Sequence, residues 1–498
     1  MKIKIGLFKK DFSWQTVLEQ IGCDWDYFDF KNINSENYSL LIINDKLNGD
    51  EVSAVKYYLE NGGAVINNLS EDYFDSNISF SSQLVRNIFP NEYKTIDVLD
   101  FPTKINFANN SLFHFANQKG LICYFPLNLS EIFLNTSTKR KSFYFKKERL
   151  SSEIVNETSK GAITFLIKSI IEQLHHKRNL PFAHKWFYPL NSKSIFTFRI
   201  DSDKSDKSTI LSLYNLLNKN KISANWFLDV SSHQNWFSIF KDFQNQSFGY
   251  HCYKHKIANN YNDLLKDFEN AKKYFSQNDF EINSASAIYG KWNLDFAKLY
   301  EEKNIKYSSE FSFTYDTLPF FPFTENKIFS TLQIPIHPIC IGSLRQSGYN
   351  QNEMTEYFIN HIDKCLKLNL PIMLYHHPLD KNHEVLQNIF DYIKEKAIPN
   401  ISYDDYFNFW MARMNSKIEF DFNQQNNILK IKSDSDSFFS VSSDENNFHL
   451  VNDKDEFNFS NFNFTKKDIY SFPEDYNRIR DFDLRHLIQS FLFYIQTR

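Results

Sequence analysis

Two aspartates, Asp201 and Asp203, follow a β-prone apolar run in the segment SIFTFRIDSDKSD. Carboxylates at the C-terminal end of a strand, just before a turn, lie where α/β barrels assemble their catalytic residues. Further along the chain come His251 and His255, spaced as HxxxH. Two histidines and a carboxylate can hold a divalent metal ion, which polarises a carbonyl group and activates a water molecule. These residue types, in this order, are compatible with metal-dependent hydrolysis.

The HxxxH spacing puts both imidazoles on one face if His251 and His255 lie on a helical turn. HxxxH alone is a weak signal, but here it follows a predicted strand and the two aspartates. For DSDKSD, the simpler interpretation is a solvated acidic cluster at the start of a helix. Asp206 is an alternative ligand if the turn is looser, but it is better placed to cap a helix that begins near Lys207.

The elements around these residues alternate between strand-like and helical segments. The predicted strands are IFTFRID, SANWFLDV, SFGYHCY, SASAIYG, KYSSEF, LQIPIHP and LPIMLYHH. Helical stretches at 207–219, 261–275, 294–303, 352–368 and 384–396 lie between most of them, and ISYDDYFNFWMARM is expected to add a short strand and a closing helix. This alternation predicts α/β structure with outer helices.

With Asp-x-Asp, HxxxH and a late His-His-Pro in this order, residues 193–415 resemble the polysaccharide deacetylases of carbohydrate esterase family 4. The resemblance implies a distorted (β/α) barrel of deacetylase type with a divalent metal ion, expected to be zinc. Carried onto this sequence, it makes Asp201 the general base and Asp203, His251 and His255 the metal ligands.

The resemblance also places the general acid on a histidine near the last barrel strand. The His-Pro form favours His377, with His376 on the opposite face of the strand, and the reverse assignment stays open. His337, in IPIHP, is a second candidate for the rim of the site.

The third motif of the family, Arg-x-Pro-x-[Tyr/Gly], is incomplete here. The segment SASAIYGKWN keeps Tyr289 and Gly290 but has neither the arginine nor the proline. Arg199 lies on the same strand face as Asp201 and could replace the missing ion pair with the base. Arg345 and Lys291 are weaker substitutes. The missing arginine leaves open a degenerate, non-catalytic barrel.

Residues 1–178 alternate β-like runs with helices around 14–21, 51–60 and 162–176, which predicts a doubly wound parallel-sheet domain. The run LLIIND…LNGDEVSAVKYYLENGGAVIN resembles the class I glutamine amidotransferase-like fold. Catalytic members carry a nucleophilic cysteine on a glycine-flanked turn after a strand. Here that strand ends as AVINNLS, and Cys123 lies inside an apolar run, so we expect a non-catalytic domain.

Residues 179–192 carry two prolines and several aromatic residues, which indicates a packed connector. The segment 416–498 changes to period-two alternation in KIEFDF, ILKIKS, FFSVSS and NFHLV, which predicts a small antiparallel β module. Residues 481–498 are predicted to form a terminal helix or strand.

Bulk composition excludes several classes of function. The net charge of −4 gives no basic surface for nucleic acid. No apolar run approaches the roughly 20 residues that span a bilayer. The five cysteines are scattered, without a CxxC motif or a disulfide framework, and the N-terminus is typical of a first strand rather than a signal peptide. A reducing, cytoplasmic setting is therefore expected.

The leading hypothesis is a cytoplasmic metal-dependent hydrolase that cleaves an amide or ester bond, removing an acetyl or similar acyl group from a sugar or a surface-polysaccharide precursor. A second hypothesis is a carbohydrate-binding or assembly protein with a degenerate barrel. A third is a hydrolase of a non-sugar C–N bond, because Asp-x-Asp relatives of the family include such enzymes. Bound metal and turnover of an acetylated sugar would separate the three.

Overall fold

The computed structural model describes most of the 498 residues. The described residues are 1–69, 71, 73–74, 78–85, 103–109, 114–117, 120–141, 143–145, 148–149, 153–258, 260–434, 438–444, 447–452, 456–459 and 465–466. The helix or strand predicted for 481–498 lies outside them. In the described part of the chain, no helix combines the length and apolar character needed to cross a membrane.

The N-terminal region is built on a six-stranded sheet in the order β2-β1-β3-β4-β8-β7, parallel except for β7 at the edge. Strands β3 and β4 are buried along their whole length, as expected when helices cover both faces. Helices α1, α3 and α4 pack on one face and α2 on the other. The elements are β1 Ile5–Leu7, α1 Phe12–Ile21, β2 Trp25–Tyr27, β3 Leu40–Ile43, α2 Gly49–Glu60, β4 Ala64–Asn67, β5 Phe80–Val85, β6 Thr103–Ala108, β7 His114–Asn117, β8 Leu121–Tyr124, α3 Leu129–Leu134, β9 Thr138–Lys141, β10 Tyr144–Phe145, β11 Glu148–Arg149, β12 Glu153–Asn156, α4 Lys160–His176 and β13 Phe182–Lys185.

The central region forms a seven-stranded, wholly parallel sheet in the order β19-β18-β17-β16-β15-β14-β20. All seven predicted strands contribute to it. Apolar side chains from the sheet and the surrounding helices form its largest core. The elements are β14 Phe196–Asp201, α5 Lys207–Asn220, β15 Ala224–Asp229, α6 Val230–His233, β16 Gln246–Cys252, α7 Tyr261–Gln277, β17 Ser284–Ala285, α8 Leu294–Glu302, β18 Tyr307–Ser308, β19 Leu332–Gln333, α9 Ile341–Gln346, α10 Gln351–Leu368, β20 Ile372–His376, α11 His383–Glu395 and α12 Tyr403–Asn415.

This sheet is curled, and its two edges approach each other. The backbone N–H of His337, after β19, donates to the carbonyl of Met373 in β20 at 3.0 Å.

Strands β17 to β19 have only two residues each, shorter than predicted. After β17 the chain leaves the sheet because the backbone N–H of Ala287 donates to the Glu310 side chain at 3.1 Å and a 3₁₀ turn follows. The strand predicted before α12 is reduced to a single bridge between Phe196 and Asn400.

The C-terminal region contains two antiparallel sheets, β21-β22-β25 and β13-β23-β24-β26. Its strands are β21 Ile418–Asn423, β22 Ile428–Ser433, β23 Phe438–Asp444, β24 Asn447–Asn452, β25 Glu456–Asn458 and β26 Thr465–Lys466. Strand β13, from the predicted connector, pairs with β23. The backbone N–H of Ile3 also donates to the carbonyl of Phe420 at 2.8 Å. The C-terminal strands are thus paired with residues from much earlier in the chain.

Candidate metal centre

The predicted site residues come from three strand ends at one edge of the central sheet. Asp201 is the last residue of β14, and Asp203 lies in the turn that follows it. His251 lies near the end of β16, and His377 directly follows β20. Because all these strands are parallel, their carboxyl ends meet at the same edge of the sheet.

Asp203 lies between two imidazoles. Its Oδ1 is 3.0 Å from His251 Nε2, and its Oδ2 is 3.2 Å from His255 Nε2. His251 Nδ1 lies 2.8 Å from the backbone carbonyl of Ser286. A carbonyl can only accept a hydrogen bond, so Nδ1 carries the hydrogen and the neutral ring presents a lone pair at Nε2.

This arrangement brings two acceptor atoms together in a buried place. Asp203 Oδ1 and His251 Nε2 are both buried, and neither has a hydrogen-bond partner. Two lone pairs at this separation need a proton or a metal ion between them. With a proton, the carboxylates of Asp203 and Asp201 outweigh the burial that lowers the pKa of His251, and that pKa is raised. With a metal ion, Asp203, His251 and His255 supply the oxygen and nitrogen donors that a catalytic zinc uses.

HxxxH does not lie on a helical turn, and the strand predicted for SFGYHCY is present as β16. His251 is still in strand β16, and residues 253–256 form bends rather than a helix. The bend is held from outside, because the backbone N–H groups of Tyr253 and Lys254 donate to the Asp267 carboxylate of α7 at 2.6 and 3.1 Å. Asp267 is a residue that the sequence motifs did not reveal.

Arg199 and Asp201 form a buried, two-pronged ion pair. Arg199 Nε donates to Asp201 Oδ1 at 2.7 Å and Nη2 donates to Oδ2 at 2.6 Å. The guanidinium also contacts the rings of Phe227 and Tyr375 and donates to the carbonyl of Ser309. Burial raises the pKa of Asp201, but the charges of Arg199 and His251 outweigh it, so the pKa is lowered. Asp201 is therefore an ionised carboxylate.

The two weaker substitutes lie elsewhere. Arg345 pairs with Asp380, with Nη2 3.1 Å from Oδ1. Lys291 is exposed at the surface. Of the three cations considered for the missing motif, Arg199 is the one in contact with Asp201.

The adjacent histidines His376 and His377 have different surroundings. His377 Nε2 lies 3.7 Å from Asp203 Oδ2, and its Nδ1 lies 3.3 Å from Asp380 Oδ2. His376 is fully buried against the ring of Phe198, and burial lowers its pKa to about 3. His376 is thus a neutral core residue, whereas His377 lies beside the metal-ligand group.

His337 and Asp206 also have contacts of their own. His337 Nε2 lies 2.8 Å from the Tyr357 hydroxyl, and its ring stacks on His361. These contacts place His337 against α10 rather than at the rim of the site. Asp206 accepts from the backbone N–H of Thr209 at 2.9 Å and is the N-cap of α5, as expected.

A buried network that the motifs did not reveal holds the Asp201–Asp203 turn. The Ser202 hydroxyl lies 2.7 Å from His233 Nε2 and accepts from the backbone N–H of Asp229 at 2.9 Å. The Asp229 carboxylate in turn accepts from the backbone N–H of Lys204 at 3.2 Å. No sequence motif marks His233 for this role, because its partner, Ser202, belongs to a different strand-to-helix connection.

We expect a His233→Phe variant to bind zinc about tenfold more weakly, because the turn that carries Asp203 loses a hydrogen bond. Isothermal titration with zinc measures the affinity. A Trp236→Phe variant is the matched control, since it changes a ring that packs against His233, with centroids 4.6 Å apart, and leaves the His233–Ser202 hydrogen bond in place. Equal affinities in the two variants would contradict the prediction.

Comparisons with known proteins give structural neighbours only. No protein-family model and no curated sequence matches the chain. A protein described as a polysaccharide deacetylase from Mycobacterium smegmatis has a TM-score of 0.39 at 11% identity, covering 46% of this chain and 94% of that one. A second protein described as a polysaccharide deacetylase, from Pseudomonas aeruginosa PAO1, has a TM-score of 0.39 at 13% identity, covering 45% of this chain and 93% of that one. Puue allantoinase has a TM-score of 0.39 at 14% identity, covering 45% of this chain and 92% of that one.

Proposed function

We propose that this chain is a metal-dependent hydrolase that removes an acetyl or similar acyl group from a sugar or a surface-polysaccharide precursor. The observation that carries the proposal is the buried pair of acceptor atoms, Asp203 Oδ1 and His251 Nε2, which face each other at 3.0 Å. An ionised carboxylate, Asp201, and a partly exposed imidazole, His377, lie next to this pair.

In this proposal Asp203, His251 and His255 hold the metal ion, expected to be zinc. When bound, the ion polarises the acyl carbonyl and makes a water molecule acidic. Asp201 is the general base for the attacking water, and Arg199 keeps the carboxylate ionised and oriented for this role.

His377 donates a proton to the departing amine or hydroxyl group through Nε2. Burial lowers the pKa of His377, but its hydrogen bond to Asp380 and the nearby Asp203 carboxylate outweigh burial and raise it well above the usual value. The ring is therefore supplied with the proton that a general acid needs. Asp380 also fixes the ring through Nδ1, at 3.3 Å.

The proposal is tested by measuring bound metal and turnover of acetylated sugars on the same purified protein. Stoichiometric metal together with release of acetate supports it. Metal without release of acetate from any acetylated sugar would indicate a hydrolase of a non-sugar C–N bond. A protein that binds no metal even after incubation with zinc or cobalt would indicate a carbohydrate-binding or assembly role.

We expect His377→Gln to lower kcat by about 10²-fold while metal bound at Asp203, His251 and His255 stays unchanged, because the variant loses the proton donor but none of these three ligands. The matched control is His376→Phe, which keeps an aromatic ring against Phe198 and should retain most of the activity. Acetate release and metal analysis on both variants check this. A larger loss of activity in His376→Phe than in His377→Gln would reverse the assignment.

For the N-terminal region we propose an amidotransferase-like domain without catalytic function. Strand β4 is followed by Asn68, whose side chain donates to the carbonyls of Phe125 and Leu127, both at 2.9 Å. Cys123 is fully buried in β8, and burial raises the pKa of its thiol. Neither residue offers an exposed nucleophile.

The proposed role of this domain is to form one wall of the substrate cleft. Strand β12 supplies Val155, which packs in one apolar cluster with Phe311 and Tyr375 of the barrel. The Ser343 hydroxyl donates to Glu153, also in β12, at 3.0 Å. Because Tyr375 contacts both Arg199 and His377, the domain lies close to the proposed catalytic residues.

We further propose that the protein acts in the cytoplasm and has no nucleic-acid partner. All five cysteines fall in the described part of the chain, and each is buried and outside any disulfide. Buried free thiols suit a reducing compartment. The net charge of −4 supports the absence of a nucleic-acid partner.

A further inference from the structure

A second group of metal-ligand side chains lies on the far side of His377 from Asp203. Cys340 Sγ is 3.9 Å from His377 Nδ1 and 4.0 Å from Asp380 Oδ2, and the latter two atoms are 3.3 Å apart. Cys340 precedes α9, whereas the other two residues follow β20. The fold therefore brings a thiol, an imidazole and a carboxylate from separate segments to one point.

The triangle formed by these three atoms has the size of one face of a zinc tetrahedron. Zinc binds sulfur at about 2.3 Å and nitrogen or oxygen at about 2.0–2.2 Å, which puts neighbouring ligand atoms about 3.3–3.7 Å apart. The distances of 3.3, 3.9 and 4.0 Å reach these values with shifts below about half an ångström. The sulfur also makes this group a softer ligand set than Asp203, His251 and His255.

We propose that Cys340, His377 and Asp380 form a second, inhibitory site for a soft divalent cation such as zinc or cadmium. Binding of the cation rests on the geometry of the three side chains alone. The inhibition rests on the function proposed above, in which His377 is the general acid.

Binding at this site replaces protons by the cation. The Cys340 thiol and His377 Nδ1 each give a proton to solvent as Sγ and Nδ1 form bonds to the ion. Asp380 exchanges its hydrogen bond from Nδ1 for a bond to the ion through Oδ2, while its Oδ1 stays paired with Arg345 at 3.1 Å. His377 is then a neutral ring with one hydrogen, at Nε2.

A metal-bound His377 is a poor general acid. Loss of its Nε2 proton would leave an imidazolate anion rather than a neutral imidazole, so the proton is no longer available to the departing group. The His377 side chain is 27% exposed, so the ligand group is open to solvent on that side. The Arg345 charge beside Asp380 weakens cation binding, so we expect the second ion to bind only in excess of the first.

The test uses cadmium as the probe, on full-length protein first loaded with one equivalent of zinc. Cadmium bound to a thiolate gives a charge-transfer absorption in the ultraviolet, and the Asp203 group contains no sulfur. Saturation at about one thiolate-bound cadmium per chain is expected for the wild type. In Cys340→Ser the absorption should be lost.

The matched control is Cys365→Ser. Cys365 is also buried and lies 3.5 Å from a histidine nitrogen, His361 Nε2, so it is an alternative soft ligand. The control should keep the absorption. Three outcomes would overturn the site. The absorption could persist in Cys340→Ser, be lost in Cys365→Ser, or be missing from the wild type.

Two further measurements keep the proposal testable. If Cys340→Ser does not fold, Asp380→Asn keeps the thiol and should weaken cadmium binding at least about tenfold, and unchanged affinity would overturn the site. Excess zinc should inhibit acetate release by the wild type reversibly, and absence of inhibition despite the thiolate absorption would overturn the inhibitory role. A wild type without hydrolase activity would refute the proposed function, while the absorption would still test the site.

Discussion

Replacement of Asp203 by alanine is expected to remove the bound metal ion and to lower the rate of acyl hydrolysis by about 10³-fold or more. Asp203 contacts both His251 and His255, so its loss leaves two imidazoles without the negative charge that holds a cation between them. A metal ion supplies several kcal/mol of transition-state stabilisation, and about 4 kcal/mol corresponds to a factor of about 10³. Metal analysis and acetate release on the same sample measure the two effects.

The matched control is Asp206→Ala, which removes a carboxylate from the same acidic segment. Asp206 caps helix α5, so this variant should lose about 1 kcal/mol of stability and keep its metal ion. A double variant, Asp203→Ala with His251→Ala, should show no more metal than the single one. Full metal content in Asp203→Ala would contradict the proposed site, and metal loss in Asp206→Ala alone would transfer the ligand role to Asp206.

Arg199→Ala is expected to destabilise the fold by about 3–5 kcal/mol, because it leaves the buried Asp201 carboxylate without its partner. The same variant should also shift the pH dependence of kcat/KM. Asp201 acts as a base only when ionised, and Arg199 holds its pKa below the usual range. Without Arg199 the pKa rises, so the acid limb of the kcat/KM profile moves to higher pH. Chemical denaturation and a pH series of kcat/KM check the two effects.

The contribution of Asp201 to stability has a defined sign. Because the pKa of Asp201 is lowered in the folded state, its stabilisation is present above the ordinary value of 3.8 and disappears as the pH falls through the lower folded value. In Arg199→Ala this part of the pH dependence should vanish.

Two variants separate the buried ion pair from a general charge effect. Arg199→Lys keeps the charge but cannot form two parallel hydrogen bonds, so it should recover part of the stability and part of the pH profile. Arg345→Ala removes an arginine that is 51% exposed from its pair with Asp380 and should cost less than about 1 kcal/mol. An acid limb that stays in place in Arg199→Ala would mean that Arg199 does not set the charge state of Asp201.

The sequence predicted the convergence of distant residues well where strand ends were involved. The apolar run before Asp201 and the one before His376 form adjacent strands, with Ile200 opposite His376. Parallel pairing then brings their carboxyl ends together whatever the loops between them do. The Arg199–Asp201 contact could also be predicted, because residues two apart in a strand have their side chains on the same face.

Other features could not be predicted because they depend on contacts between separate segments. The His255 bend is shaped by Asp267, and the turn at Ser202 by His233 on the next strand-to-helix connection. Cys340 and Asp380 show no motif, since they meet only after β20 and α9 have packed together. The pairing of β13 with β23 is equally non-local, because period-two alternation marks a strand but not its partner.

The pairing of β13 with β23 also sets an order of events during synthesis. Strand β13 leaves the ribosome before the whole barrel, whereas β23 follows it. At about 5–20 residues per second, the segment between them takes on the order of ten seconds or more to translate. Throughout that interval, β13 lacks the backbone partner that β23 supplies, and Leu180 and Ala183 lack the apolar residues of β23 that they pack against in the folded protein. The nascent chain is therefore expected to need protection by a chaperone until translation passes β23.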